Sequence, residues 1–321
     1  MTVVLSIIGP VFITILLGYL ARLTNRISAE GVRGLNDFVF MLALPALLFE
    51  GASTSGGLGP TLAVSIAYFS ACLPVYALAV VLARRLRGLR LQEAGLVALD
   101  ASFGNLSMVG IPLILAAFGP EGLRNLLAIL AFHSILILPI ATVIAEIGMN
   151  AKASPIAILR STLTSLVQNP MLLAVALGGL WSIFLPPPPD MIRRLLHLLG
   201  QAGSPVALFC LGASLTSFNL RRDWPDAVLG VAIKLLVLPL AVWGAALFFQ
   251  LPPLGTAVAV VAAAMPTGAT AFILARRYAT GMDRSGATVL LASALSVVTL
   301  SVLIALFLSL IHISEPTRRR G

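Results

Sequence analysis

Ten long apolar runs, separated by short polar stretches, follow one another along this sequence. Each run is long enough to cross a hydrocarbon core of roughly 30 Å as a helix. The predicted spans, numbered 1 to 10, are 3–21, 35–53, 60–83, 91–118, 123–147, 166–185, 191–217, 227–249, 254–275 and 287–311. The pattern therefore predicts an all-α integral membrane protein with ten transmembrane helices.

Spans 4 and 9 are interrupted by glycine, proline and polar residues. Residues 101–112 read ASFGNLSMVGIP, and residues 262–272 read AAAMPTGATAF. Backbone that leaves the helical pattern inside a bilayer must line a cavity or be buried in protein, because lipid cannot hydrogen-bond a freed carbonyl or amide. A matched pair of interrupted helices indicates a transporter binding site near the bilayer midplane.

The two halves of the chain share landmarks, which indicates an internal repeat. Pro112 and Pro266 are 154 residues apart, Pro74 and Pro239 are 165 apart, and PALLFEGAS at 45–53 resembles PVALFCLGAS at 205–214. Because each half has five spans, an odd number, the second repeat enters the membrane in the opposite orientation to the first, as an inverted-topology repeat. We predict one transmembrane domain over 1–311, with repeats at about 1–150 and 155–311. Residues 312–321 do not continue the apolar pattern and are interpreted as a non-native tail.

Composition supports the membrane assignment and charge sets the orientation. The chain is 59% hydrophobic and 10% charged, with a mean hydropathy of +1.03, which excludes an ordinary soluble domain. The loops after odd-numbered spans hold fourteen Lys and Arg residues, whereas the opposite loops hold three. By the positive-inside rule, both termini are extracytoplasmic, in the cell (inner) membrane. A net charge of +9 spread over short loops does not indicate nucleic acid.

The interrupted spans carry the candidate chemistry. A half-helix that begins after a break has unpaired amide donors and a partial positive charge, which suit a carboxylate. Prolines enforce the breaks, and polar side chains can add hydrogen bonds. Ordinary proline kinks, with Ser and Thr bonded back to the helix, are the alternative. The predicted substrate-binding residues are Asn105, Ser107, Gly110, Pro112, Met265, Pro266, Thr267 and Thr270.

Two charges lie deep within the predicted spans, away from the span ends, Asp100 in span 4 and Lys234 in span 8. A lone charge at that depth costs at least roughly 2.5–3.5 kcal/mol, so pairing is favoured. The pair is predicted to be either a static brace or a proton-linked switch. His133 in span 5 is interpreted as a neutral histidine hydrogen-bonded in helix packing, with titration near neutral pH as the alternative. The sequence contains no catalytic constellation, metal-ligand set or phosphate loop, so we expect no enzyme activity and no cofactor.

Four segments resemble the auxin efflux carrier family, which includes plant auxin exporters and bacterial carriers of malonate or malate. They are LNDFVFMLALPALLF at 35–49, SFGNLSMVGIPL at 102–113, KLLVLP at 234–239 and AMPTGATAF at 264–272. The resemblance implies a bile acid/sodium symporter-like, NhaA-like fold in which broken helices 4 and 9 cross. It also implies a scaffold of spans 1, 2, 6 and 7, a transport domain of spans 3–5 and 8–10, and a possible homodimer.

The predicted function is secondary active transport of a small organic anion, such as an auxin-like monocarboxylate, malonate or malate, by alternating access. A sodium-coupled symporter of the bile acid type and a non-transporting membrane ligand sensor stay as alternatives. An intramembrane enzyme is a third possibility, weakened by the lack of a nucleophile and base. The expected partners are the substrate anion, membrane lipid and a possible second copy of the chain, with no nucleic acid.

Overall fold

The computed structural model describes residues 2–53, 59–149, 156, 160, 164, 167, 168, 170–218 and 224–314. Within this part of the chain the structure is helical. The α-helices are α1 (Thr2–Leu23), α2 (Ala29–Phe38), α3 (Leu44–Ser53), α4 (Gly59–Arg87), α5 (Leu91–Ser102), α6 (Ile111–Gly148), α7 (Pro170–Phe184), α8 (Asp190–Leu215), α9 (Trp224–Ala232), α10 (Leu238–Phe248), α11 (Pro253–Ala263), α12 (Ala269–Arg277) and α13 (Met282–Ser314). Three π-helical segments join them: π1 (Val39–Ala43), π2 (Leu106–Gly110) and π3 (Ile233–Val237).

Six helices in the described ranges are long and apolar enough to cross a membrane. They are Ala29–Ser53, Leu62–Arg87, Leu106–Gly148, Asp190–Leu215, Ala227–Phe248 and Met282–Ile311. Three shorter apolar helices, Ile8–Leu23, Leu173–Phe184 and Pro253–Ala263, accompany them. This all-helical architecture confirms a multi-pass membrane protein, whereas the ten-span count and the inverted repeat stay predictions.

The helix breaks lie where glycine, proline and polar residues interrupt the sequence. After α5 ends at Ser102, residues 103–105 are not helical, and after α11 ends at Ala263 the chain re-enters a helix at Ala269. The π-helical segments follow a related rule, because each directly precedes a Leu-Pro or Ile-Pro pair. Proline provides no N–H to the carbonyl four residues earlier. The helix upstream of it therefore takes up π-helical geometry, in which an N–H bonds to the carbonyl five residues earlier.

Burial separates the helices into an interior group and a lipid-facing group. Nine of the 12 residues of α5 and nine of the 11 residues of α11 are buried. At 1.5 Å per residue each spans only about 18 Å, too short to cross the membrane alone. Outer helices instead expose large apolar side chains such as Leu17, Leu240 and Val298. The two short helices are thus enclosed by protein, as an interrupted segment in a bilayer requires.

Helices α1 and α8 pack at very close range. A Cβ atom on Gly18 would overlap the backbone carbonyl of Phe209, and one on Gly212 would overlap the carbonyl of Ile15. Small residues at such positions let two helix backbones approach each other, a common device between membrane helices. The contact fixes α1 against α8 beside the segments that carry the breaks.

Helix α6 covers the end of span 4 and all of span 5, and it is kinked at Gly119, whose φ of 65° is not helical, so the kink lies in the short stretch predicted between the two spans. The structure differs from the predictions in two places. Helix α13 runs to Ser314, so residues 312–314 continue the last helix, while 315–321 lie outside the described residues. The first residue of span 6, at 166, also lies outside them. Arg284, counted as a loop charge, is buried in the first turn of α13.

Candidate functional site

The two helix breaks are hydrogen-bonded to each other. Gly104 and Thr267 form an isolated antiparallel bridge. The amide of Asn105 donates to the carbonyl of Pro266 at 2.7 Å, and the amide of Gly268 donates to the carbonyl of Phe103 at 2.9 Å. Backbone groups freed by one break are thereby satisfied by the other, which removes the cost of burying them unpaired.

A side chain adds a third link between the breaks. The Thr267 hydroxyl donates to the backbone carbonyl of Asp100 at 2.7 Å. That carbonyl lies near the end of α5, where carbonyls lack intrahelical donors. Thr267 is therefore occupied in holding the breaks together, and the structure gives it this role rather than one at a cavity wall.

Asn105 caps the segment that resumes after the first break. Its Oδ1 accepts a hydrogen bond from the amide of Met108 at 3.2 Å, and Asn105 is the residue before π2. A side-chain oxygen at this position satisfies one of the free amides at a helix start. The side-chain amide nitrogen, Nδ2, has no protein acceptor among the described residues and remains a donor for a ligand.

A cavity of about 380 Å³ opens beside the breaks. One wall comes from the broken segments and α6, and the other comes from α2, π1, α7 and α8. The wall is mixed, because Phe40, Phe103 and Phe218 lie near the polar side chains of Asn105, Ser107 and Thr270. A small molecule with an apolar body and one polar end fits this distribution.

The predicted binding residues divide into two groups in the structure. Asn105, Ser107 and Thr270 line the cavity. Gly110, Pro112, Met265 and Thr267 are absent from its wall, and Pro266 instead lines a second, almost wholly apolar cavity of about 310 Å³ beside α1, α8 and α13. The residues of the second group thus build the breaks, and those of the first group present polar atoms to the cavity.

The ion pair predicted between Asp100 and Lys234 does not form in the described structure, although both side chains are buried. Lys234 Nζ donates to the carbonyl of Ala263 at 2.7 Å, and Asp100 Oδ1 accepts from the Ser285 hydroxyl at 2.6 Å. Ala263 is the last residue of α11, where free carbonyls and the helix dipole favour a cation. The freed backbone therefore competes successfully with the carboxylate for the ammonium group.

Arg284 supplies a second buried cation near Asp100. Its Nη2 donates to the carbonyl of Glu93 at 3.4 Å, and its Nε has no hydrogen-bond partner. The guanidinium is close enough to act electrostatically on the Asp100 carboxylate. Asp100 and Ser285 thus connect α5 to α13, with Arg284 as the neighbouring positive charge.

Two cavity-lining residues, Asn36 on α2 and His133 on α6, are not among the predicted binding residues. Asn36 Oδ1 and His133 Nε2 are buried and have no hydrogen-bond partner. In the sequence, Asn36 is a polar residue at the edge of span 2 and His133 is a lone histidine in span 5, and neither belongs to a motif. Only the folded arrangement places them at the same cavity as Asn105.

Comparison with known proteins places the chain among membrane carriers. The model of a family described as "Membrane transport protein" matches residues 3–304. A "Putative malonate transporter" from Rhizobium meliloti is 28% identical over 316 residues, which cover 96% of this chain and 97% of that protein. "Auxin efflux carrier component 8" from Arabidopsis thaliana is 25% identical over 336 residues, covering 86% of this chain and 89% of that protein. These matches confirm the resemblance found in the sequence.

A mouse protein is also similar, over a smaller share of its own length. "Lysosomal cholesterol signaling protein" from Mus musculus is 28% identical over 241 residues, which cover 70% of this chain and 28% of that protein.

Proposed function

We propose that this chain, which belongs to the membrane transport protein family, the auxin efflux carrier family, is a secondary carrier for a small organic anion. Its family is one of membrane transporters rather than enzymes. The observation that carries this proposal is the 380 Å³ cavity whose wall contains Asn105, Ser107 and Thr270 next to the paired helix breaks. A malonate-type dicarboxylate and an auxin-type monocarboxylate are the two substrate classes that the names of the relatives suggest.

The polar end of the cavity suits a carboxylate. The α12 helix begins at Ala269, directly after the second break, so its first amides and its dipole favour negative charge. Thr270 in that first turn lines the cavity, and Asn105 Nδ2 adds a donor from the first break. Phe103 and Phe40 would cover the apolar part of the substrate. The carboxylate would thus be held between donors from both breaks.

Transport by this site requires that it open to each side of the membrane in turn. We propose ten spans in a five-plus-five inverted repeat, with spans 4 and 9 crossing at the paired breaks. Spans 1, 2, 6 and 7 would form the scaffold, and spans 3–5 and 8–10 would move as the transport domain. Residues of α2, α7 and α8 line the same cavity as residues of the broken segments, which supports a boundary between the two domains at this cavity.

A ligand sensor is the second candidate function, and one comparison favours it. The mouse relative is called a signaling protein, and the chain matches less than a third of its length. In a sensor the same cavity would bind a ligand without moving it across the membrane. Net accumulation of a labelled carboxylate in proteoliposomes would identify a carrier, whereas saturable binding without accumulation would identify a sensor.

Asn105→Ala should weaken carboxylate binding by about 1.5–3 kcal/mol, the usual worth of a hydrogen bond to a charged group. Asn105→Asp should weaken binding more than Ala does, because it places a negative charge beside the substrate carboxylate in a poorly screened cavity. Binding isotherms of auxin and malonate for the three proteins would measure this ranking. An Asp variant that binds either anion as tightly as the parent would remove Asn105 from the site.

Thermal stability provides the control for the same pair of variants. Since Asn105 Oδ1 caps Met108, Asp retains the cap and Ala loses it, at a cost of about 1 kcal/mol. Stability should therefore rank parent and Asp above Ala, the reverse of the ranking of Ala and Asp in binding. Opposite rankings in the two measurements separate recognition of the anion from maintenance of the fold.

The orientation is tested by cysteine labelling. We propose that both termini are extracytoplasmic, in the cell membrane, because positive charge concentrates in the loops after odd-numbered spans. Leu86→Cys, exposed at the end of α4, should react with an impermeant maleimide only from the cytoplasm, and Pro187→Cys, between α7 and α8, only from outside. The native Cys72 and Cys210 are buried and give a low background. Labelling with the reverse sidedness would invert the assigned topology.

A further inference from the structure

His133 occupies a position that helix packing alone does not explain. The residue lies on α6, is 1% exposed and lines the 380 Å³ cavity together with Asn105. Its ring is held against Phe103, with 4.4 Å between centroids and 37° between planes, and Tyr68 and Phe69 flank it at 6.1 and 6.3 Å. The imidazole is therefore fixed in orientation at the cavity wall.

The two ring nitrogens of His133 have different environments. The ring is hydrogen-bonded to the backbone of Ser102, whereas Nε2 is buried and has no protein partner. The bond to Ser102 thus belongs to Nδ1, and in the neutral ring Nε2 then carries a lone pair. Buried polar atoms are nearly always paired, so this orphan nitrogen on a cavity-lining residue points to a ligand as its partner.

In the part of the chain that the structure describes, no acidic side chain pairs with the ring. Lys234 on π3 acts on the ring electrostatically, and Tyr68 approaches from α4. Asp100 on α5 is engaged with Ser285, and the Lys234 ammonium is bonded to the carbonyl of Ala263. An imidazolium at this place would have no protein counter-ion among the described residues. The negative charge that stabilises it must arrive with the ligand.

We propose that His133 binds one proton together with each substrate carboxylate, so that the anion and the proton occupy the cavity as a pair. This inference rests on the proposed function. The proton comes from the aqueous compartment that the cavity faces and forms the Nε2–H bond, and that N–H donates to a carboxylate oxygen. No proton is released at this step, and a bound monocarboxylate adds no net charge. When the anion leaves on the other side, Nε2 loses its proton to that compartment.

Thermodynamic linkage makes this pairing measurable. If the empty site holds neutral histidine and the filled site holds imidazolium, each bound anion takes up one proton. Affinity then falls by up to about tenfold for each unit of rising pH. Asp100 and Lys234 are also buried titratable groups near the breaks, so the pH dependence is assigned to His133 by its loss in a His133 variant.

The experiment measures auxin binding to the purified full-length protein between about pH 6 and pH 8, where a histidine titrates and an ordinary carboxylate stays ionised. In weak buffer, an indicator dye should report about one proton taken up per auxin bound. His133→Gln should bind auxin with the same affinity at each pH and take up no proton. His197→Gln is the matched control, because His197 is an exposed histidine outside the cavity wall; it should behave as the parent.

The possible results separate the two levels of the proposal. Proton uptake by the parent that disappears in His133→Gln supports the role of His133. Auxin binding by the parent without proton uptake overturns this role and leaves the carrier function in place, as does a His133→Gln variant that keeps the parent's pH dependence. Absence of auxin and malonate binding in the parent overturns both. The dye measurement on the parent can overturn this role even if the variant fails to fold, because the role requires proton uptake by the parent.

Discussion

Gly18→Leu is expected to prevent accumulation of folded protein. Gly18 of α1 faces the backbone carbonyl of Phe209 in α8 at a distance that even a Cβ atom cannot occupy. Overpacking usually costs about 1–3 kcal/mol, and the cost here lies at the upper end or beyond because a helix backbone must move rather than a flexible side chain. Whole-domain stability is only about 5–15 kcal/mol. Size-exclusion yield and thermal unfolding in detergent would measure the loss.

Gly9→Leu provides the control on the same helix. A Cβ atom on Gly9 would meet no other atom within 4 Å. The added side chain should therefore be tolerated, and replacing glycine within a helix should even stabilise it by roughly 0.5–1 kcal/mol. Equal yields and melting temperatures for the two variants would contradict the close α1–α8 contact.

Gly104→Val should abolish most transport while leaving insertion intact. A Cβ on Gly104 would lie 3.2 Å from Lys234 Nζ and 3.5 Å from the carbonyl of Ala262. The two methyl groups of valine extend further and would push the ammonium from the Ala263 carbonyl, leaving a buried charge unpaired. A free-energy penalty of about 1.4 kcal/mol already corresponds to a tenfold change in an equilibrium constant. We expect initial uptake of labelled carboxylate to fall by more than about tenfold.

Gly244→Val is the matched control for this variant. Gly244 lies on α10, and a Cβ there would meet no atom within 4 Å. Its uptake should equal that of the parent, and both valine variants should appear in the membrane fraction at similar levels, because the apolar spans are unchanged. Normal uptake by Gly104→Val would show that the space around Gly104 accommodates a larger side chain without loss of transport.

The position of the breaks could be predicted from sequence because glycine, proline and polar residues have local effects. Pro112 and Pro266 remove backbone donors within their own turns, whatever the rest of the chain does. The end of α5 at Ser102 and the start of α12 at Ala269 follow the predicted segments closely. Three of the predicted binding residues, Asn105, Ser107 and Thr270, line the cavity for the same reason.

The partners of the buried charges could not be predicted from sequence in the same way. The predicted pair of Asp100 and Lys234 takes only side chains into account. In the structure the ammonium group binds the backbone carbonyl of Ala263, which is a free acceptor because α11 ends at that residue. Likewise, nothing near His133 in the sequence distinguishes a satisfied ring from an unsatisfied one. That distinction depends on Ser102 and Phe103, about thirty positions away.

The exchange of hydrogen bonds between residues 103–105 and 266–268 has a mechanical consequence. Pulling the two strands of chain apart would leave several donors and acceptors without water in a low-dielectric interior, at a cost of about 1–3 kcal/mol for each. Thermal energy at about 0.6 kcal/mol rarely supplies this sum. The four half-helices around the breaks are therefore expected to travel as one rigid body, so that any shift of the cavity relative to the bilayer must be absorbed at the boundary with α2, α7 and α8.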